Sequence, residues 1–212
     1  MASIGAAVGF AGCAISDGDA FEGESPLTTE SSVTATPTPT PTPRYKPGSA
    51  KGPAENVPLP VVPVEAKTAS KVGLEAFAEY WYETANYGYE TGDTSLTQAV
   101  SGPECETCAN YFEVVEGGYI GDDWMANSAI EVLQVHSDYV LTPDGRYQAV
   151  VYFRQEAMEY YGPEGLQLEG EADLGVVQLF EAVWEGDHWV AANIATMNVL
   201  DKCQFHPENP DC

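Results

Sequence analysis

SKVGLEAFAEYWYETANYGY, residues Ser70–Tyr89, decides how the rest of the chain is read. Leu74, Phe77, Ala78, Trp81, Tyr82, Ala85 and Tyr89 recur at steps of three and four, the spacing that gathers side chains on one face of a helix. That face is broad and aromatic, so something wide must cover it. Ser70, or Thr68 just before it, offers a side-chain oxygen to the unpaired N–H groups of the first turn. Gly92 and Asp93 end the run. A short second helix over Thr94–Val100 follows. A third starts near Pro103, where a missing N–H costs nothing, and runs to Glu116 with Cys105, Cys108, Phe112 and Val115 along one side.

After Gly117 and Gly118 the period changes. Trp124–Leu141 contains AIEVLQVHSDYVL, rich in β-branched residues, and reads as a strand. Thr142-Pro143-Asp144-Gly145 is a turn. Arg146–Tyr160 is a long second strand, Tyr161–Asp173 a loop, and Leu174–Trp184 a third strand. Glu185-Gly186-Asp187 turns into a fourth, His188–Val199. Helices followed by meandering strands make an α+β fold. The N-terminal helices are predicted to pack on a curved, cone-like, four-stranded antiparallel sheet that buries Trp81. With 44% hydrophobic residues the chain can supply that core.

Upstream the composition is different. An apolar run, Ile4–Ile15, is too short to span a bilayer and suits the apolar region of a signal peptide. Within it Phe10-Ala11-Gly12-Cys13 resembles a bacterial lipobox, in which two small residues precede the cysteine that receives lipid. Phe10 stands where leucine is usual, and no Lys or Arg precedes the run. The resemblance implies a lipid on Cys13. Asp17, Asp19, Glu22 and Glu24 follow among Ser and Gly, a composition that cannot bury a core. Ser31–Pro43, SSVTATPTPTPTP, favours an extended polyproline II spacer, because each proline fixes φ and removes a donor. The predicted organisation is a signal over residues 1–13, a disordered Thr/Pro-rich stalk over 14–63, the α+β domain over 64–202 and a tail over 203–212.

Five cysteines fit an exported protein. With Cys13 lipidated, Cys105, Cys108, Cys203 and Cys212 remain for two disulfides. Local pairing, Cys105–Cys108 and Cys203–Cys212, is one of three connectivities; a crossed pairing would tie the tail to the third helix.

Eight Lys and Arg stand against 33 Asp and Glu, a net charge of −25. From Val72 to Gly145, and again from Gln155 to Asp201, there is no Lys or Arg. Such a surface repels phosphate backbones, which excludes nucleic acid as a partner. It attracts cations.

The helices-then-strands plan resembles the cystatin-like cone of the nuclear transport factor 2 superfamily. YKPGSAKGPAENVPLPVVP (45–63), GLEAFAEYWYETANYGYETGD (73–93), VSGPECETC (100–108) and TPDGRY (142–147) resemble a family of uncharacterised actinobacterial lipoproteins, over Tyr45 to Val199. That resemblance implies a membrane-anchored, extracytoplasmic protein and brings no activity with it.

CETC has the spacing of thiol oxidoreductases, but Glu104 and Glu106 beside it would raise a thiol pKa rather than lower it, which favours a structural bridge. A zinc site would need Cys203, His206 and Cys212; no metal or cofactor is expected. Glu75, Glu79 and Glu83 lie at i, i+4 and i+8 and read as a solvated helix edge. Trp81, Tyr82, Tyr89, His136 and Phe153 are the candidates to line a pocket inside the cone. No catalytic residue is assigned, since no Ser-His-Asp set, phosphate-binding glycine loop or HExxH occurs. The function expected is a noncatalytic lipoprotein domain that binds an envelope protein, a glycan or a small apolar ligand. The alternatives are an isomerase- or dehydratase-type enzyme using His136 or a carboxylate, and a thiol–disulfide protein at CETC.

Overall fold

The computed structural model describes residues 43–200. Cys13, Cys203 and Cys212 lie outside them. Ser70 is the N-cap of the long helix α1, Lys71–Thr91, and its Oγ accepts from the Gly73 N–H at 3.0 Å. The helix ends at Gly92, whose φ of 77° lets its N–H reach back to the Gly88 carbonyl. Two shorter helices follow, α2 (Ser95–Ala99) and α3 (Glu106–Gly118). Cys105 caps α3, and its sulfur accepts from the Cys108 N–H.

Among the described residues seven strands form two antiparallel sheets: β1 (Trp124–Ala126), β2 (Ile130–His136), β3 (Tyr147–Gln155), β4 (Glu159–Gly162), β5 (Gly165–Glu169), β6 (Asp173–Glu185) and β7 (His188–Val199). The larger sheet has the order β2-β3-β6-β7, the meander predicted. The smaller, β1-β4-β5, was not expected. Each of the first two expected strands is broken and shared between the sheets. Asn127, at φ 52°, makes the break between β1 and β2. The segment 161–173, read as a loop, contains the end of β4, the turn between Gly162 and Gly165, and all of β5.

The α1 face packs on the concave side of the larger sheet. Leu74, Phe77, Trp81, Tyr82 and Ala85 are buried against Val151 and Phe153 of β3, Val176 and Phe180 of β6, and Trp189 and Ile194 of β7. Phe77 meets Phe180 edge-on at 5.8 Å, and Tyr82 lies 5.4 Å from Phe153. Each such side chain contributes about 1.5–3 kcal/mol of burial.

The start of the domain needs correction. Residues 43–63, assigned to the disordered stalk, lie on the fold. Lys46 and Glu55 pair through backbone and side chain. The Tyr45 hydroxyl donates to Glu90, and the Trp124 indole donates to the Ser49 carbonyl at 2.9 Å. Gly48 lies against β1, where a Cβ would stand 2.8 Å from the Met125 carbonyl oxygen. The folded unit therefore begins about twenty residues before position 64. Proline-rich composition hid this, because an extended arm docks through single contacts that leave no hydrophobic period.

Asn86 ties α1 to the free edge of β2. Its amide donates to the Ile130 carbonyl at 2.8 Å and its oxygen accepts from the Ile130 N–H at 2.7 Å. At the other end, Glu75 accepts from the Ser137 N–H at 2.9 Å. Glu75 thus holds the sheet and is not merely a solvated edge. Asn86→Ala leaves two backbone groups without partners and is expected to cost about 2 kcal/mol, measured by urea unfolding.

Candidate functional site

A pocket of about 180 Å³ opens at one end of the concave face, between α1, α3 and the ends of β3, β6 and β7. Its walls are Trp81, Tyr82, Tyr89, Tyr111 and Phe153, and its polar rim is Gln155, Asp173, Gln178 and Thr196. Helical spacing on α1 brings Trp81, Tyr82 and Tyr89 there. Phe153 arrives from the inward side of β3.

Hydrogen bonds fix the walls. The Trp81 indole donates to Ser101 Oγ at 2.9 Å, and Tyr111 donates to the Ala85 carbonyl at 2.9 Å. Tyr82 donates to Gln178 Oε1 at 2.5 Å, and Gln178 Nε2 donates to Thr196 Oγ1 at 3.1 Å. A bound group would thus find oriented polar atoms at the mouth and aromatic surface below. Burial pushes the Tyr89 phenol up to about 12, and raises the phenols of Tyr82 and Tyr111 as well. These hydroxyls stay protonated at neutral pH, which suits hydrogen bonding and not proton abstraction. A ring-sized guest fits the volume, since cavities of about 150 Å³ hold a benzene ring.

Four of the five predicted lining residues meet here, and His136 does not. It is 56% exposed on the outer face of the sheet, within 3.3 Å of Asp138. Counting alternately from Val132 turns His136 inward, but a bulge between Val132 and Gln134 shifts the register. Val135 then lies opposite buried Val151, and His136 opposite exposed Val150. Tyr111 and the rim residues Gln155, Asp173, Gln178 and Thr196 were missed. Tyr111 falls three residues after Cys108 on the inward side of α3 and was legible by period; the four rim residues carry no sequence signal.

Cys105 and Cys108 are joined to each other, which excludes the crossed pairing. Both are buried, at 2% and 1% exposure. An attacking thiolate cannot reach either sulfur without local opening. Reductant is therefore expected to leave the bridge intact in the native chain and to open it only in denaturant, as read by the mass of alkylated protein.

A larger groove of about 620 Å³ runs between the arm and the end of α1. Tyr87, Glu90, Tyr119, Asp122, Asp123 and Trp124 line it with Pro53, Ala54, Asn56 and Val57 of the arm. It was invisible while the arm was read as stalk. Among the described residues no cluster of three or more metal-ligating side chains occurs, and no helix is long and apolar enough to cross a membrane.

No curated protein matches the chain. Among solved structures it is similar to the intermembrane-space region of the chloroplast protein ARC6, with 10% identity, a TM-score of 0.41, and coverage of 60% of this chain and 95% of that one. A family model matches residues 43–195, from the start of the docked arm into the last strand. The chain belongs to the family of unknown function DUF6318.

Proposed function

We propose that this chain is a noncatalytic binding domain of a cell envelope, held to the membrane by a lipid on Cys13 and lifted from it by the Thr/Pro spacer. Its ligand presents one ring, a sugar residue or a small aromatic group, to the pocket beneath Trp81. The observation that carries this reading is the pocket itself: five aromatic walls, three of them fixed by hydrogen bonds, and a rim of Gln155, Asp173, Gln178 and Thr196. Aromatic faces stack on a sugar ring while amide and hydroxyl groups pair with its hydroxyls. An isomerase or dehydratase would need an acid–base pair inside the pocket. His136 faces away, the phenols hold their protons, and Asp173 at the rim is a single carboxylate among the lining residues.

Calorimetry of the full chain with N-acetylglucosamine and with phenol tests the pocket. Saturable binding of one of them, lost in Thr196→Trp and with the ligand recovered unchanged, supports the reading. Turnover of either compound, or binding indifferent to Thr196→Trp, overturns it. The anchor is tested by intact mass of the protein from its host's membrane fraction. A diacylglyceryl group on a chain beginning at Cys13 is expected; a chain without lipid removes the anchor from the proposal.

A further inference from the structure

Among the described residues the two sheets present four edges, and three carry contacts from the rest of the fold. The arm lies against β1 through Gly48 and Ser49. Asn86 bonds the start of the β2 edge at Ile130, and Glu75 bonds Ser137 just past its end. The chain between α2 and α3 pairs with β7, where the Gly102 N–H donates to the Ala191 carbonyl at 2.8 Å and the Ala191 N–H to the Val100 carbonyl at 2.9 Å. Thr107 adds a bond to the Ile194 carbonyl at 2.6 Å. The fourth edge is β5, and among the described residues its only strand neighbour is β4.

An open edge offers backbone N–H and C=O groups to any extended chain. This one also offers apolar contact. Leu166 is 52% exposed and Leu168 60%. A bulge in the hairpin places Leu166 beside Tyr161 and Leu168 beside Tyr160, so the leucines stand on opposite faces. A strand added to β5 would have one leucine above it and one below.

Charge selects the occupant. Glu159 and Glu169 lie directly opposite each other across the hairpin. Like charges so placed weaken a sheet. No Lys or Arg occurs from Gln155 to Asp201 to relieve them. A second copy of the chain would bring the same carboxylates to the same edge. A cationic strand would neutralise them.

We propose that β5 is a strand-addition site for an extended cationic segment of a partner protein. Two adjacent apolar residues of that segment lie against Leu166 and Leu168, and flanking Lys or Arg side chains meet Glu159 and Glu169. The site is independent of the ring pocket.

The test is a titration of the ¹⁵N-labelled full chain with the capped peptide Lys-Lys-Val-Val-Lys-Lys. Saturable amide shifts confined to the β4–β5 hairpin are expected, weakening with added salt. The double variant L166Q/L168Q, altered only at exposed positions and without change of charge, is expected to bind about tenfold more weakly with its spectrum otherwise preserved. Glu169→Gln, which keeps both leucines, weakens binding and shrinks its salt dependence. Shifts scattered over the acidic surface, or binding that ignores the leucines, overturn the proposal as mere charge attraction. Self-association of the chain that L166Q/L168Q abolishes overturns it in favour of a second copy.

Discussion

Gly88→Ala is expected to destabilise the domain by about 3 kcal/mol, a large effect for one added methyl group. A Cβ at Gly88 would stand 2.0 Å from the Tyr111 hydroxyl oxygen and 3.2 Å from the ring carbon that bears it. Tyr111 cannot simply swing aside. It is buried, donates to the Ala85 carbonyl, and packs edge-on against Tyr89 at 5.0 Å and Trp81 at 5.9 Å. Moving it disturbs the pocket wall and the seat of α3 on α1. Tyr111→Phe removes the clashing oxygen and costs about 1 kcal/mol alone, for the lost hydrogen bond. The double variant is therefore expected to be more stable than Gly88→Ala. Denaturant midpoints of the four proteins measure this coupling. Additive losses would mean that Gly88 is required for something other than room for Tyr111.

The second large effect centres on Glu181, which is 8% exposed on β6. Arg146 donates to it at 3.0 Å, Gln148 at 2.8 Å and Asn193 at 3.1 Å. Burial by itself would raise this carboxyl, but the hydrogen bonds from Gln148, Asn193 and Arg146, with the Arg146 charge, outweigh it and hold the pKa below the ordinary glutamate value. Glu181→Gln sets an amide N–H₂ among donors and leaves the half-buried Arg146 unpaired, at a cost of about 2–3 kcal/mol near neutral pH. The pH dependence has a definite sign. A carboxyl whose folded pKa is lowered stabilises the fold fully above its unfolded pKa, and that contribution disappears as the pH falls through the folded value. The stability gap between wild type and Glu181→Gln should thus be constant above the glutamate range and close on acidification below it. A gap that persists unchanged in acid would show that the ionised carboxylate is not what holds these three strands.

The helices and the large sheet were legible because burial imposes a period. Leu74 through Tyr89 had to be one face of a helix, and the four-strand meander followed from β-branched runs and turn residues. The small sheet was not legible. Its strands are short, β5 is exposed along most of its length, and Glu169 and Glu171 read as loop. The Gly162-Pro163-Glu164-Gly165 turn was its one available signal. The arm was missed for a related reason: Tyr45, Gly48 and Ser49 each dock by one contact. At the pocket, the residues on the regular spacing of α1 were found, Tyr111 on that of α3 was not, and His136, turned outward by a bulge, does not belong there. A one-residue bulge turns every later side chain of a strand over, and nothing around Leu133 announces it. Gln178 and Thr196 matter only as cross-strand neighbours, a relation the sequence does not display before the register is known.

The central claim is that a ring enters the pocket beneath Trp81. The Trp81 indole N–H, held by Ser101 at the pocket wall, is a reporter at the site. Its NMR signal in the full chain should move saturably as N-acetylglucosamine or phenol is added, together with the amides of Gln178 and Thr196, and should stay still in Thr196→Trp. A Trp81 signal that does not move while the compound binds elsewhere, or no binding of either ring, would contradict the account.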